Sequence, residues 1–202
     1  MTEATKPPDP AIPIAREGPF DRFLDELEAP APSACGGTAA AVTAAMAAAL
    51  VVMVARGSKG WQDGAGIASQ AQALRSRLTT LGDDDAAAFE HVIVTMRDRT
   101  GTAEQRDFVL GEALMQAAEV PLRIAEAAAD VAELAALAAA EGSPHLRPDA
   151  TAAATLAEAA ARAAAHLVEI NLGTVPGDRH SRRAALLAAA AAAARARALG
   201  SV

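Results

Sequence analysis

Aromatic side chains are nearly missing from this 202-residue chain: they make up 2% of it, against 52% hydrophobic residues in all, and alanine supplies much of the remainder. Runs of alternating β-branched residues are also missing. Alanine is the best helix former and is depleted in strands, so these two absences leave the sheet classes without support and point to an all-α fold. Cysteine is confined to Cys35, which excludes an internal disulfide framework. The N-terminus has no basic segment followed by an apolar core, so a secretory signal is not expected and a cytoplasmic setting is. Positive charge is in deficit, with a formal net charge of −7. That balance argues against a nucleic-acid backbone as partner.

The alanine-rich composition has a physical consequence. Alanine buries little area per residue, so a core built from it gains stability through close helix approach and through subunit contacts. A homodimer is the expectation. The stretch from Thr38 to Ala55 is uncharged and about as long as a short membrane span. It is mostly alanine, which gains little from lipid, and no second span follows, so it reads as a central buried helix and no membrane partner is expected.

Along the chain, residues 1–18 read as a flexible tail containing Pro7, Pro8, Pro10 and Pro13, ahead of one domain from 19 to 202. Phe20, Phe23, Leu24 and Leu27 share one side of a short helix ended by Pro30 and Pro32. Ser33 to Gly37 form a loop that delivers the chain to Thr38, a candidate cap for the apolar helix running to about Arg56. Gly57 to Gly66 reads as a connection. The next segment, about Ile67 to Arg99, carries Ile67, Ala71, Leu74, Leu78, Leu81, Ala88, Val92 and Met96 at helical spacing. A helix from about Thr102 to Glu141 bears a polar stripe through Glu112, Gln116, Glu119, Arg123, Glu126, Asp130 and Glu133. Pro121 kinks it, because proline removes one NH and crowds the Ala117 carbonyl. Two more helices follow, about Asp149 to Leu172 and Ser181 to Leu199. The architecture expected is a bundle of about five to six mostly long antiparallel helices.

Three places have the makings of chemistry. Asp85 fills the one gap in an otherwise apolar series, which puts a carboxylate on the core side of a long helix. A buried charge needs partners, and paired buried carboxylates recur at catalytic sites. The competing reading is that Gly82 breaks the helix and Asp83 or Asp84 caps a new one, turning Asp85 to water. The second place is Cys35-Gly36-Gly37-Thr38, where glycines permit close backbone approach and a helix start favours an anionic group. Gly-Gly before a cap is also a common tight entry into a helix, and Cys35 is either a nucleophile or an inert thiol. The third place is the last pair of long helices with Asp149, His166, Glu169 and Asn171. There Glu158, Arg162, His166 and Glu169 step as a solvated, salt-bridged face does. The four histidines show no metal-ligand spacing, so no metal is expected.

Four stretches stand out together: Phe23-Leu24-Asp25-Glu26-Leu27 ahead of the Gly-rich loop and a helix ending Met53-Val54-Ala55; Asp85-Ala86-Ala87-Ala88-Phe89; Glu119-Val120-Pro121-Leu122; and Asp149 with Ile170-Asn171-Leu172. In that order and spacing they resemble the family that comprises the cyclodeaminase domain of formiminotransferase-cyclodeaminase and the small methenyltetrahydrofolate cyclohydrolases. The family loop usually reads Pro-Gly-Gly-Gly-Ser, where this chain has Ala34, Cys35, Gly36, Gly37 and Thr38. His166 stands where the family commonly has Asn.

The resemblance implies a helical dimer acting on the carbon that bridges N5 and N10 of tetrahydrofolate, with no cofactor beyond that folate substrate. It implies Asp85 as the carboxylate that steadies the cationic reactant and moves the proton. Glu119, Asp149 and His166 are the further catalytic candidates, with Cys35, Gly36, Gly37, Thr38 and Asn171 binding substrate. Hydrolysis of 5,10-methenyltetrahydrofolate and cyclodeamination of 5-formiminotetrahydrofolate both fit. The absence of a formiminotransferase segment favours the cyclohydrolase. The readings left beside these are a divergent member with another small substrate and a non-catalytic helical binding protein.

Overall fold

The computed structural model describes residues 18–29, 36–173 and 178–200, and every regular element among them is helical. Six α-helices occur, α1 Pro19–Glu28, α2 Gly36–Gly57, α3 Gly64–Arg97, α4 Ala103–Glu141, α5 Arg147–Leu172 and α6 Arg179–Gly200, with a 3₁₀ turn Pro144–Leu146 before α5. The described residues divide into two compact units, one holding α1 and the other α2 to α6. In the first, α1 opens on Pro19 and sets the rings of Phe20 and Phe23 at a 35° tilt with centroids 6.4 Å apart. The tail, Pro30, Pro32 and Cys35 lie outside the described residues.

In the second unit, α2 packs against α3, α4 and α5, and α6 docks on α4 and α5. Because α2 touches three neighbours, alanines on several sides of it are buried, among them Ala41, Ala44, Ala47 and Ala48, together with Val51 and Val54. By length and composition α2 is apolar enough to cross a membrane, yet just over half of its most apolar stretch is buried inside the bundle. α4 and α5 pack most extensively on each other, and Ala125, Ala128, Ala132 and Ala135 of one and Ala153, Ala157, Ala160 and Ala164 of the other are buried at spacings of three and four. Side chains this small let backbones approach closely, and Leu78, Ile124, Val131 and Val168 fill the remaining volume.

Several local expectations are adjusted by the structure. The connection before α3 is shorter than 57–66, because helix resumes at Gly64. α3 continues unbroken through Gly82, so Asp83 and Asp84 start no new helix. α4 runs as one helix with Pro121 inside it, as its sequence implies, and it begins with a reciprocal capping box between Thr102 and Gln105. The polar stripe of α4 receives cations from neighbouring helices: Glu126 meets Arg183 at 2.8 Å and Arg77 at 3.5 Å. Glu133 bonds Arg197, and Glu119 meets His180 Nε2 at 3.0 Å. The polar stripe of α4 is in part the surface on which α6 docks.

Candidate functional site

Asp85 sits on the face of α3 that turns toward α2, and only 7% of it is exposed. The carboxylate is met by the first turn of α2. The Thr38 backbone NH donates to Asp85 Oδ2 at 2.9 Å. The Thr38 hydroxyl lies 3.1 Å from the Gly82 carbonyl and 3.4 Å from Asp85 Oδ2. A hydroxyl has one proton, so the shorter contact to Gly82 takes most of it. Thr38 therefore does not cap its own helix with its side chain. Asp85 fills the capping role from a neighbouring helix, satisfying a first-turn NH that has no partner within α2. A helix start carries partial positive charge, which stabilises the carboxylate there.

This arrangement explains Gly37. A Cβ built on Gly37 would fall inside the van der Waals envelope of all three carboxyl atoms of Asp85, and the glycine is what lets the two helices bring carboxylate and backbone together. Gly36 is under no such constraint, since its nearest side-chain neighbours are the Leu167 methyls at 3.7 Å.

A cavity of about 210 Å³ opens beside this pair. Gly36, Gly37 and Asp85 form its polar wall, Ala88, Phe89 and Val92 extend it along α3, and Ala117, Leu167, Ile170 and Asn171 close it from α4 and α5. Positions 85, 88, 89 and 92 share one helical face, as do 167, 170 and 171. The lining residues that sequence reasoning missed were thus marked by their helical phase to Asp85 and Asn171. Asn171 is tied to the far side of the bundle: its Nδ2 donates to the Ala117 carbonyl at 2.9 Å.

Asp85, Gly36, Gly37, Thr38 and Asn171 are brought together, and three other candidates are not. Glu119 turns from the cavity toward α6, where it pairs with His180. His166 is one residue out of phase with Leu167 and points to solvent, with its side chain 69% exposed and its Nδ1 3.8 Å from Glu169. Asp149 lies in the first turn of α5, while the cavity lies at its last turns. The eighteen-residue separation between Asp149 and Leu167 corresponds to roughly 27 Å at the usual helical rise. Cys35 is outside the described residues. No cluster of three metal-ligating side chains occurs among the described residues.

A buried carboxylate at the wall of a small, mostly apolar slot between packed helices defines the class: an all-helical domain with a candidate small-molecule site. Residues 19–192 match the family model described as formiminotransferase-cyclodeaminase. A methenyltetrahydrofolate cyclohydrolase of Methylorubrum extorquens is 35% identical over 162 residues, 75% of this chain and 78% of that protein. A formimidoyltransferase-cyclodeaminase of Sus scrofa is 32% identical over 170 residues, 79% of this chain but 31% of that longer protein. The crystal structure of formiminotetrahydrofolate cyclodeaminase from Thermotoga maritima is similar with a TM-score of 0.80 at 26% identity, covering 92% of this chain and 96% of that one. The chain belongs to the formiminotransferase-cyclodeaminase family.

Proposed function

We propose that this chain is a folate one-carbon enzyme that hydrolyses 5,10-methenyltetrahydrofolate to 10-formyltetrahydrofolate. The observation that carries the reading is the Asp85 carboxylate, buried, fixed by the Thr38 NH and set in the wall of the cavity. The substrate's bridging carbon belongs to an amidinium cation shared between N5 and N10. A fixed anion beside it lowers the energy of the bound cation and of the charge redistribution that follows. Water adds to the carbon as Asp85 accepts a proton from it. The tetrahedral centre then collapses: the C–N5 bond breaks, N5 takes a proton back from Asp85, and the remaining hydroxyl loses its proton as the formyl carbonyl forms on N10. One water is consumed and one proton released. A cavity of about 210 Å³ suits the bicyclic head and the bridging carbon, leaving the benzoyl-glutamate portion outside.

Cyclodeamination passes through a similar tetrahedral carbon between two nitrogens, and two of the similar proteins carry that name. The 35% identical relative, matched over most of its length, is named a cyclohydrolase and favours hydrolysis here. The chain acts as a cytoplasmic homodimer without a cofactor beyond folate. Support for the dimer comes from the thin alanine core and from large apolar side chains left outside on α3 and α4, including Val94, Met96, Phe108 and Met115. The test is loss of near-ultraviolet absorbance of 5,10-methenyltetrahydrofolate against a buffer blank, with ammonia release from 5-formiminotetrahydrofolate run in parallel. Hydrolysis well above the blank supports the reading, ammonia release alone transfers it to the cyclodeaminase, and neither removes it.

A further inference from the structure

The described cavity has a second polar element besides Asp85, and its orientation is set by a proline. Pro121 lies in the middle of α4 and is fully buried. Lacking an NH, it leaves the Ala117 carbonyl without its usual donor four residues on. That carbonyl accepts instead from Asn171 Nδ2, 54 residues away and 2.9 Å distant. A carbonyl can only accept, so the amide nitrogen of Asn171 must be the atom that faces it, and the side-chain oxygen points elsewhere. Ala117 and Asn171 both line the cavity, and no hydrogen bond to Asn171 Oδ1 occurs among the described residues. Asn171 is also the chain's single asparagine.

We propose that Asn171 Oδ1 accepts a hydrogen bond from the N–H edge of the bound pterin, and that Pro121 is a positioning residue that locks this acceptor through the Ala117 carbonyl. The inference rests on the folate reading and deepens it: the site selects a ring that offers ring N–H or amino donors, held at one place by Asn171 and, at its cationic carbon, by Asp85. The remaining lining of Ala88, Phe89, Val92, Leu167 and Ile170 offers no side-chain hydrogen-bonding group, so the Asn171 oxygen is the neutral side-chain acceptor available to such an edge. Pro121→Ala restores an NH that competes for the Ala117 carbonyl and frees the Asn171 amide to turn.

The test uses full-length protein labelled with 15N in asparagine side chains, which yields a single NH₂ pair. Wild-type turnover of 5,10-methenyltetrahydrofolate is measured alongside. Adding 6-methyltetrahydropterin or 5-formyltetrahydrofolate is expected to shift the Asn171 signal. Asn171→Ala is expected to raise KM on the order of tenfold, the loss of a hydrogen bond with its donor left unpaired, with kcat within about threefold. Pro121→Ala is expected to move the unliganded Asn171 signal and raise KM in the same direction while the thermal midpoint holds or rises. A purely structural role for Pro121 would leave KM at the parent value whatever the midpoint does. Wild-type turnover with an Asn171 signal unmoved at saturating ligand, or KM unchanged in both variants, overturns the assignment while the functional reading stands. No wild-type turnover removes the functional reading and this inference with it.

Discussion

Replacing Gly37 by alanine pits two effects of opposite sign against each other. Glycine inside a helix is ordinarily about 1 kcal/mol less favourable than alanine, so a substitution judged from the helix alone should stabilise the protein. Here the new Cβ meets the Asp85 carboxylate at impossible range. The carboxylate must swing away, giving up the 2.9 Å bond from the Thr38 NH and the longer approach of the Thr38 hydroxyl. A hydrogen bond to a charged group contributes about 1.5–3 kcal/mol, and the orphaned first-turn NH of α2 adds to the loss, so the clash outweighs the helical gain by about 1–3 kcal/mol. For a chain of this length that is a fall of roughly 3–10 °C in the thermal midpoint. Gly36→Ala is the control, with ordinary 3.7 Å contacts to Leu167, and should leave the midpoint level or slightly raised. Circular dichroism melts give the midpoints, and the methenyltetrahydrofolate assay should show Gly37→Ala losing most activity and Gly36→Ala keeping more of it. A Gly37→Ala protein as stable and as active as the parent would refute the claim that Asp85 is held over that glycine.

Further outcomes follow from the charges. Partial burial raises the Asp130 carboxyl above its ordinary value of 3.8, with Glu126 and Glu133 adding to the effect and Arg77 opposing it. A raised carboxyl favours the fold below that ordinary value and loses the benefit as pH climbs through the folded one. Asp130→Asn should therefore melt slightly higher than the parent at pH 7, the difference shrinking toward pH 4, and a gain that grows on acidification would contradict this. Asp178 has the opposite sign: the Ser181 and His180 NH groups hold its carboxyl below 3.8 as it caps α6. Asp178→Ala should lower the midpoint at neutral pH, with the deficit closing only as pH falls through the lowered value. His166→Asn should leave rate and pH profile unchanged, because the residue faces solvent away from the cavity.

The helices were legible because alanine composition and apolar spacing act locally, and Asp85 was legible because a carboxylate interrupted an apolar series at core phase. What Asp85 does there was not, since its partner Thr38 is 47 residues away and the pairing depends on how α2 and α3 cross. Gly37 was visible as a glycine, and its reason became visible only with the carboxylate above it. Pro121 announced an orphaned carbonyl, while the donor that satisfies it comes from α5. Glu119 and His166 show the limit of order along the chain: one sits in a stretch shared with the family and the other beside one, yet helical phase turns one toward α6 and the other to water. Asp149 was placed with Asn171 because both belong to one helix, whose length then puts them at opposite ends.

The most direct test of the account is the turnover of 5,10-methenyltetrahydrofolate by Asp85→Asn, a change that removes the charge and keeps the size. A folded variant whose rate falls by roughly a hundredfold or more is the predicted result. A folded variant hydrolysing the substrate at close to the parent rate would show that the chemistry lies elsewhere.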